Sequence, residues 1–574
     1  MPERYLITAA LPYVNNVPHI GNIVGSHLPA DIFARYCRLK GRETLFIGGT
    51  DEHGSPSEIA AQKAGIPVQE LCDTFYDIHL RIYKWFGFSY DNFSRTSRQV
   101  HHEITREFFL ELRKNGFISE QKMKMPFCEK DSRFLADRFV EGKCPKCANK
   151  AARGDQCEQC GSLLTPSELI DPYCVLCKSE PVTKETTHLF LNLDKLQPKL
   201  EEWANSKGNW KPQVRNLALA WLKEGLRKRA ITRDLKWGVK VPVEGYGGKV
   251  LYVWFDAPIG YISSTKEWIE GNSHLEKKDY ELKKWWVDRN TKLFHFIGKD
   301  NIPFHTIFFP AMLIGEGRYN LPHQVAGYQY LNYEGGKISK SKGHGIFCET
   351  FIEEARDALP ADVWRFYLAL KLPEIRDTEF TWSEFESRVN TELMGNLSNF
   401  VNRVTTFIEG KKAGKIAKPG KLSEEDLNML KEIKAAVEKV DKLYDDIEIV
   451  SALQSILELS AKGNQYFQGN EPWKRIDRQD AVLWVCANIC KALGVMLFPI
   501  IPEASGKLRK ILGLGGVYSW NDALKLLPEE HMIGKSEILF HKLDITKIKE
   551  LKVATTKIGK VEERIGKHKA HSDG

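Results

Sequence analysis

Residues 4–22 read RYLITAALPYVNNVPHIGN, and residues 44–54 read TLFIGGTDEHG. Residues 4–9 are a short β-like run that leads into the loop from Leu11 to Pro18. A helical apolar pattern follows from about Gly21 to Lys40, and a second apolar run spans Thr44 to Ile47. Strand, loop, helix, strand is the order of a parallel α/β sheet. Such sheets bind ligands beyond the carboxyl ends of their strands, and the polar clusters at 15–22 and 48–54 both fall there.

Outward from this stretch, residues 56–115 read as helices. The segment from about 117 breaks into short pieces, glycines and cysteine pairs, and looks like an insertion. Strand–helix alternation resumes near Lys249 with KVLYVWFDAPIGYIS, then LFHFIGKDNIPFH at 293–305. Residues 337–343 (KISKSKG) form a basic loop. From about 386 the pattern is helical, with a polar linker at 410–424, and residues 547–569 carry eight Lys/Arg against three Glu. The expected divisions are 1–116, an insertion at 117–230, 231–325, 326–385, a helical domain at 386–545 and a basic tail at 546–574.

The chain has 574 residues, 42% hydrophobic and 28% charged, which excludes a wholly disordered polymer. Its net charge of +8 permits an acidic partner without requiring one. The longest apolar run, Ala492–Ile501, is too short for a membrane span of ~20 residues. The stretch MPERYLIT has no apolar core of a signal peptide. A cytoplasmic protein with no membrane association is expected.

Six of the twelve cysteines lie between Cys144 and Cys177, as three C-x-x-C pairs. Cys144, Cys147, Cys157 and Cys160 have the spacing of a four-thiolate Zn²⁺ site, closed and therefore structural. Cys174 and Cys177 need partners from elsewhere. Cys128 and Asp131, spaced like an altered C-x-x-C, are the candidates for a second site; the other reading is an unmetallated knuckle. A segment this small buries little core, so metal would carry its folding.

Pro18-His19-Ile20-Gly21-Asn22 enters a helix, where free N–H groups and the dipole favour phosphate. The Lys337–Gly343 loop supplies cations of the kind that stabilise phosphate charge building up in a transition state. The two motifs lie more than 300 residues apart. Together they resemble the HIGH and KMSKS signatures of the class I aminoacyl-tRNA synthetases. AALPYVNNVPHIGN, GGTDEHG, VLYVWFDAPIGYIS, HFIGKDNIPFH, KISKSKG and NEPWKR occur in the order found in the methionyl-tRNA synthetase family, over about residues 4–545, with an archaeal or eukaryotic-like flavour. The resemblance departs at Asn22, where the signature has His, and at Ile338, where it has Met.

The resemblance implies an α/β Rossmann-like catalytic domain split by a zinc-binding insertion, followed by an all-α anticodon-binding bundle. It implies ATP-dependent activation of L-methionine to the adenylate and transfer to the 3′ end of tRNA(Met), for initiation and elongation of protein synthesis, with Mg²⁺ accompanying ATP. Carried over by motif, His19, Asn22, Lys337 and Lys340 are the catalytic residues. His19, Gly21, Asn22, Lys337, Ser339, Lys340 and Ser341 bind ATP. Asp51 holds the amino acid's ammonium, and Ala10, Leu11, Tyr13, Trp254, Pro258, Tyr261 and His305 form the side-chain pocket, with Tyr261 and His305 able to hydrogen-bond sulfur. Asn399 and Arg403, four apart on one helix face, read the edges of the CAU anticodon, and Trp473 stacks on it. A monomer is expected, with a tRNA-binding partner in trans as the alternative. The absence of a large editing insertion argues against the Leu, Ile and Val enzymes, and an aromatic pocket suits a thioether better than Cys. A non-catalytic tRNA-binding relative finds support only in Asn22, and a zinc-dependent DNA-binding protein fits the mild charge poorly.

Overall fold

The computed structural model describes residues 3–556 apart from 156, 158, 161, 163, 276–277, 340–342, 354–358 and 544. Five strands make the central sheet: β1 (Arg4–Ala9), β2 (Glu43–Thr50), β3 (Asn92–Arg95), β4 (Thr291–Gly298) and β5 (Gln324–Tyr328). All pair parallel, in the order β3-β2-β1-β4-β5. This is a doubly wound Rossmann-like sheet, whose ligand crevice lies where the order reverses, between β1 and β4. Strand β1 is buried along its whole length, as a parallel strand covered on both faces must be.

After β1 the chain runs through the 10–19 loop into Ile20–Asn22, a π turn at Ile23–His27 and the helix Leu28–Leu39. Helices Ser55–Ala64, Val68–Trp85 and Gln99–Lys114 follow β2. The reading of 56–115 as all helical is corrected by β3. Its sequence, NFSR, carries one strongly apolar residue; pairing with the exposed edge of β2, not local pattern, makes it a strand. The Lys249 segment differs too. Only Val250–Leu251 is strand, and Val253–Asp256 already turns as helix, with Pro258 in the 3₁₀ turn that precedes the Gly260–Gly271 helix. Trp254 is therefore a helical residue, not a strand residue.

The insertion is a long antiparallel hairpin, Ile118–Cys128 with Val182–Leu191, widened by Arg133–Phe134 and Arg229–Ala230. A second small sheet (Val140–Lys143, Ala152–Arg153 and Ile170–Cys174) lies near its tip. The apolar core there is a handful of residues, among them Cys128, Cys144, Cys157 and Cys174 themselves.

Beyond β5, Leu331–Tyr333 turns through Glu334 and Gly335 into Gly336–Lys337 and pairs on its other side with Thr378–Phe380. Both turn residues have positive φ, 42° and 81°, the two-residue geometry that matches strand twist. The C-terminal region packs Asn399–Lys412, Glu424–Asp445, Ile449–Asn470, Gln479–Leu497 and Pro502–Ile511 into an all-α bundle. One short strand pair, Lys415–Ile416 with His531–Met532, interrupts the expected linker. The stretch Ile476–Leu497 is apolar and long enough to cross a bilayer, but 94% of its apolar window is buried inside the bundle. It is the bundle's central helix. Part of the basic tail, Ile545–Thr556, is helical, and its Leu551 is buried.

Arg365, wholly buried, joins the bundle to the helices that pack on the sheet. It donates to Asp31 Oδ2 at 2.7 Å, to the carbonyls of Pro499 and Ile500 at 2.9 and 2.7 Å, and to that of Phe86 at 3.0 Å. Burial opposes the charge on Asp31, yet Arg35 and Arg365 hold its carboxyl down at about 2. Removing one partner of a buried pair costs ~3–5 kcal/mol because a charge is left uncompensated. Asp31→Asn should therefore lower the thermal unfolding midpoint sharply at pH 7. An unchanged midpoint would show that the buried pair contributes nothing net.

Candidate active site

The first signature sits where the β1 loop enters its helix. His19 caps the helix: its Nδ1 accepts from the Asn22 backbone N–H at 3.3 Å, while Asn22 Oδ1 accepts from the His19 N–H at 3.0 Å. With Nδ1 accepting, a neutral His19 carries its proton on Nε2. Asn22 thus closes a reciprocal cap, satisfying donors a helix start leaves open.

The second signature lies against the first. His19 and Phe347 form an antiparallel bridge; Ile20 N–H donates to Ile346 O at 3.1 Å and Cys348 N–H to Pro18 O at 2.9 Å. A Cβ on Gly21 would lie 2.9 Å from its own neighbour His19 and 3.4 Å from Ile338. Ser339 and His344 exchange backbone hydrogen bonds of 2.8 and 3.0 Å, closing the basic loop at its base. Lys340 and Ser341 lie outside the described residues. Lys337 stands 5.1 Å from the Tyr330 ring, with Lys299 3.8 Å from the same ring. The fold brings Lys299, which the sequence reading missed, to the loop's edge; its place in GKDN, just after β4, was the available signal.

The pocket lies beside these motifs. Asp51, which pairs with Tyr13 in a parallel bridge, is 2% exposed, and its Oδ1 has no hydrogen-bond partner. Burial first, then the Asp256 carboxylate, push its pKa well above the usual range; an N–H from His53 opposes them. Leu11 packs on Gly260, where a Cβ would come within 2.7 Å. Tyr13 meets Trp254 edge-on at 6.4 Å, and Trp254 stacks on Phe304 at 3.6 Å. Ala10 follows β1, its N–H donating to Phe296 O, and Pro258 lies buried in the turn after Trp254. Phe304 was quoted within HFIGKDNIPFH but not singled out as a wall. Its position one residue before His305 at the start of a π turn aims it there.

Tyr261 and His305 meet at 2.9 Å, and His305 Nδ1 lies 3.0 Å from Asn301 O. A carbonyl only accepts, so Nδ1 carries the imidazole proton and Nε2 accepts from Tyr261. Burial lowers the His305 pKa to about 4, keeping it neutral. In this arrangement the proton of each is engaged within the protein, Tyr261 with His305 and His305 with the Asn301 carbonyl.

In the insertion, Cys144, Cys147, Cys157 and Cys160 bring their sulfurs within 4.8 Å of one another, with two of the spacings 3.9 and 3.5 Å. Thiolates ~2.3 Å from a tetrahedral ion stand ~3.8 Å apart, so the set suits zinc. Cys128, Asp131, Cys174 and Cys177 form a second cluster: Asp131 Oδ2 is 3.3 Å from Cys128 Sγ and 3.0 Å from Cys174 Sγ, and the Cys128 and Cys177 sulfurs are 3.5 Å apart. The turns match in backbone. Among the described residues, those after three of the four second ligands (Ala148, Lys178 and Ser132) have positive φ, 59°, 62° and 48°. The N–H of Cys144, Cys157 and Cys174 each donates to the carbonyl five residues on. Asp131 thus occupies the second-ligand place of a knuckle.

In the bundle, Asn399 is exposed. Arg403 lies over the Phe467 ring at 5.0 Å and donates to Gln468 Oε1 at 2.7 Å. Trp473, 38% exposed, contacts Phe467 from a turn that follows the Ile449–Asn470 helix, with ring centres 5.7 Å apart. Arg403 and Trp473 therefore both lie against one ring.

Residues 5–405 match the family model for class I tRNA synthetases (M), and residues 416–556 match the anticodon binding domain of methionyl tRNA ligase. The chain belongs to the methionyl class I tRNA synthetases. Curated members of that family include a methionine–tRNA ligase of Aeropyrum pernix, 43% identical over 550 residues, covering 94% of this chain and 95% of the relative. A cytoplasmic one of Caenorhabditis elegans is 42% identical and covers 96% of this chain but 60% of its own length; with one from Xenopus laevis at 61%, the chain spans about three-fifths of these longer relatives. Among solved structures, a Mycobacterium tuberculosis methionyl-tRNA synthetase in complex with methionyl-adenylate superposes with TM-score 0.78 at 24% identity, over 94% of this chain and 99% of that one. At that identity the likeness concerns the fold.

If metal carries the folding of the family insertion, stoichiometric zinc should accompany the purified protein. Metal analysis should give at least one ion per chain, and Cys144→Ser with Cys147→Ser should abolish that ion and expose 140–180 to protease. A metal-free protein with a protease-resistant insertion would refute the assignment.

Proposed function

We propose that this protein is a methionine–tRNA ligase that activates L-methionine with ATP and charges tRNA(Met). The observation that carries the reading is the contact between the 18–22 and 338–348 segments at the switch point of the sheet, beside a buried carboxylate with an unfilled oxygen. Catalysis is then positioning plus charge stabilisation, without a covalent enzyme intermediate. His19 would donate through Nε2 to phosphate, and Gly21 would admit it close to the helix start. Lys337, Lys340, Ser339 and Ser341 would hold the departing pyrophosphate from the facing loop, with Asn22 holding His19 in place. Mg²⁺ would arrive with ATP as counter-charge.

Asp51 would bind the ammonium. Ala10, Leu11, Tyr13, Trp254, Pro258, Tyr261 and His305 would enclose the thioether, which favours aromatic faces. Asn399 and Arg403 would read the anticodon and Trp473 stack on it, as unpaired bases are commonly read. Zn²⁺ would sit in the Cys144 cluster and, with one harder ligand, in the Asp131 cluster. Residues 117–230 would form the connective insertion, 386–545 the anticodon domain, and the whole would work in the cytoplasm, as a monomer or with a partner in trans.

Methionine-dependent ATP–pyrophosphate exchange without tRNA, with Leu, Ile, Val and Cys as controls, tests the reading. Exchange with methionine alone is expected, and Lys337→Ala should slow it by about tenfold or more, the scale of one lost charge-assisted contact in the transition state. Exchange with another amino acid, or with none, would remove it.

Asp51 adds a pH signature. Burial and the Asp256 carboxylate raise its pKa, so a proton competes with an ammonium for this carboxyl. Methionine binding should release protons, and affinity should fall as pH is lowered. Calorimetry in two buffers of different ionisation enthalpy reads this directly; zero release or net uptake would show Asp51 ionised before binding.

A further inference from the structure

Two buried carboxyl groups from different elements converge on one residue. Asp51 lies just after β2 and accepts a hydrogen bond from the backbone N–H of His53. Asp256, 0% exposed, ends the Val253–Asp256 helix, and its Oδ2 lies 2.7 Å from His53 Nδ1. One oxygen of each carboxyl, Asp51 Oδ1 and Asp256 Oδ1, has no hydrogen-bond partner. The two elements touch at one further point: Gly54, at φ 88°, would place a Cβ 3.2 Å from Val253 Cβ, so nothing larger fits between loop and helix. That helix also carries Trp254, a wall of the side-chain pocket.

We propose that His53 and Asp256 are positioning residues for the amino-acid ammonium: a neutral strut that aims Asp51 and fixes its distance from the Trp254 helix. This rests on the methionine-activating reading above. Two carboxylates this deeply buried and this near do not both ionise. Burial raises the Asp256 pKa and lowers that of His53 to about 4, so the pair keeps one proton between Oδ2 and Nδ1 and carries no net charge. Asp51 is then the group free to become the single counter-charge that one ammonium needs.

The same residues, with His101, lie close enough to suggest a metal. The hydrogen bonds argue otherwise. His101 is engaged by Ser263 through Nδ1 and by Thr105 through Nε2, and His53 Nδ1 by Asp256. With both ring nitrogens engaged, His101 would have to surrender a partner before it could complete such a site.

The test uses this 574-residue chain and two competitive inhibitors of methionine-dependent exchange. Methioninol keeps the ammonium and lacks the carboxylate; 4-(methylthio)butanoate keeps the carboxylate and thioether and lacks the ammonium. Asp256→Ala should raise KM for methionine and Ki for methioninol by about tenfold or more, the scale of one lost hydrogen bond to a charged site, with KM for ATP and Ki for 4-(methylthio)butanoate unchanged. Asp256→Asn, whose amide can still donate to Nδ1, should restore both. His53→Ala, which keeps the backbone N–H to Asp51, should reproduce the Asp256→Ala pattern if that variant does not fold. Equal weakening of both inhibitors, no weakening of either, or an Asn variant as impaired as Ala would overturn the strut. A wild-type protein silent with methionine would overturn the activity reading instead.

Discussion

Parallel pairing is the constraint on which everything else in this molecule depends. Thr8 pairs with Ile47 and Ala9 with Phe296, so the residues that leave β1, β2 and β4 emerge side by side at one edge of the sheet. Adjacent strands lie ~4.8 Å apart, so Ala10, Asp51 and the segment after Gly298 share a region ~10 Å across despite being up to 290 residues apart in sequence. The bridge between His19 and Phe347 then folds the basic loop's base over the same edge. No single motif builds the site; the register of the sheet does, and the loops inherit it.

Hydrogen-bond accounting decides what the pocket can distinguish. Tyr261 gives its proton to His305, and His305 gives its own to the Asn301 carbonyl, so both donors are engaged within the protein. Trp254 stacked on Phe304 and Tyr13 edge-on to Trp254 present π faces and edges instead. Such a pocket sorts side chains by volume and polarisability, a weak discriminator worth ~1–3 kcal/mol per methylene. Under the proposed function, the strong, directional recognition falls to the ammonium, at Asp51.

The sequence made the central sheet legible because its strands are continuous apolar runs and its signature loops follow them directly. It hid whatever tertiary context alone creates. The strand NFSR has no pattern of its own and exists by pairing with β2. Trp254 follows a two-residue strand, yet Tyr252 O already accepts from the Phe255 N–H and starts the next turn. The π turns at Ile23–His27, Phe304–Phe308 and Val389–Ser398 leave no periodic trace, yet each adjoins or carries a candidate site residue: Asn22, His305 and Asn399. A single added residue per turn rotates the following side chains, and such bulges often mark functional sites.

The two ligand clusters of the insertion show how a fold can keep a motif while its letters change. Ser132 holds the same left-handed backbone after Asp131 that Ala148 and Lys178 hold after their cysteines, although none of the three is glycine. Such a conformation costs a non-glycine residue about 1 kcal/mol or more, and it is kept in a segment with little apolar core to support it. The turn therefore answers to what it presents, not to local preference. Exchanging a thiolate for a carboxylate conserves the ligand's charge and the turn that aims it, and alters only softness and reach. The Asp131 cluster, with one oxygen among three sulfurs, repeats the backbone plan of its neighbour.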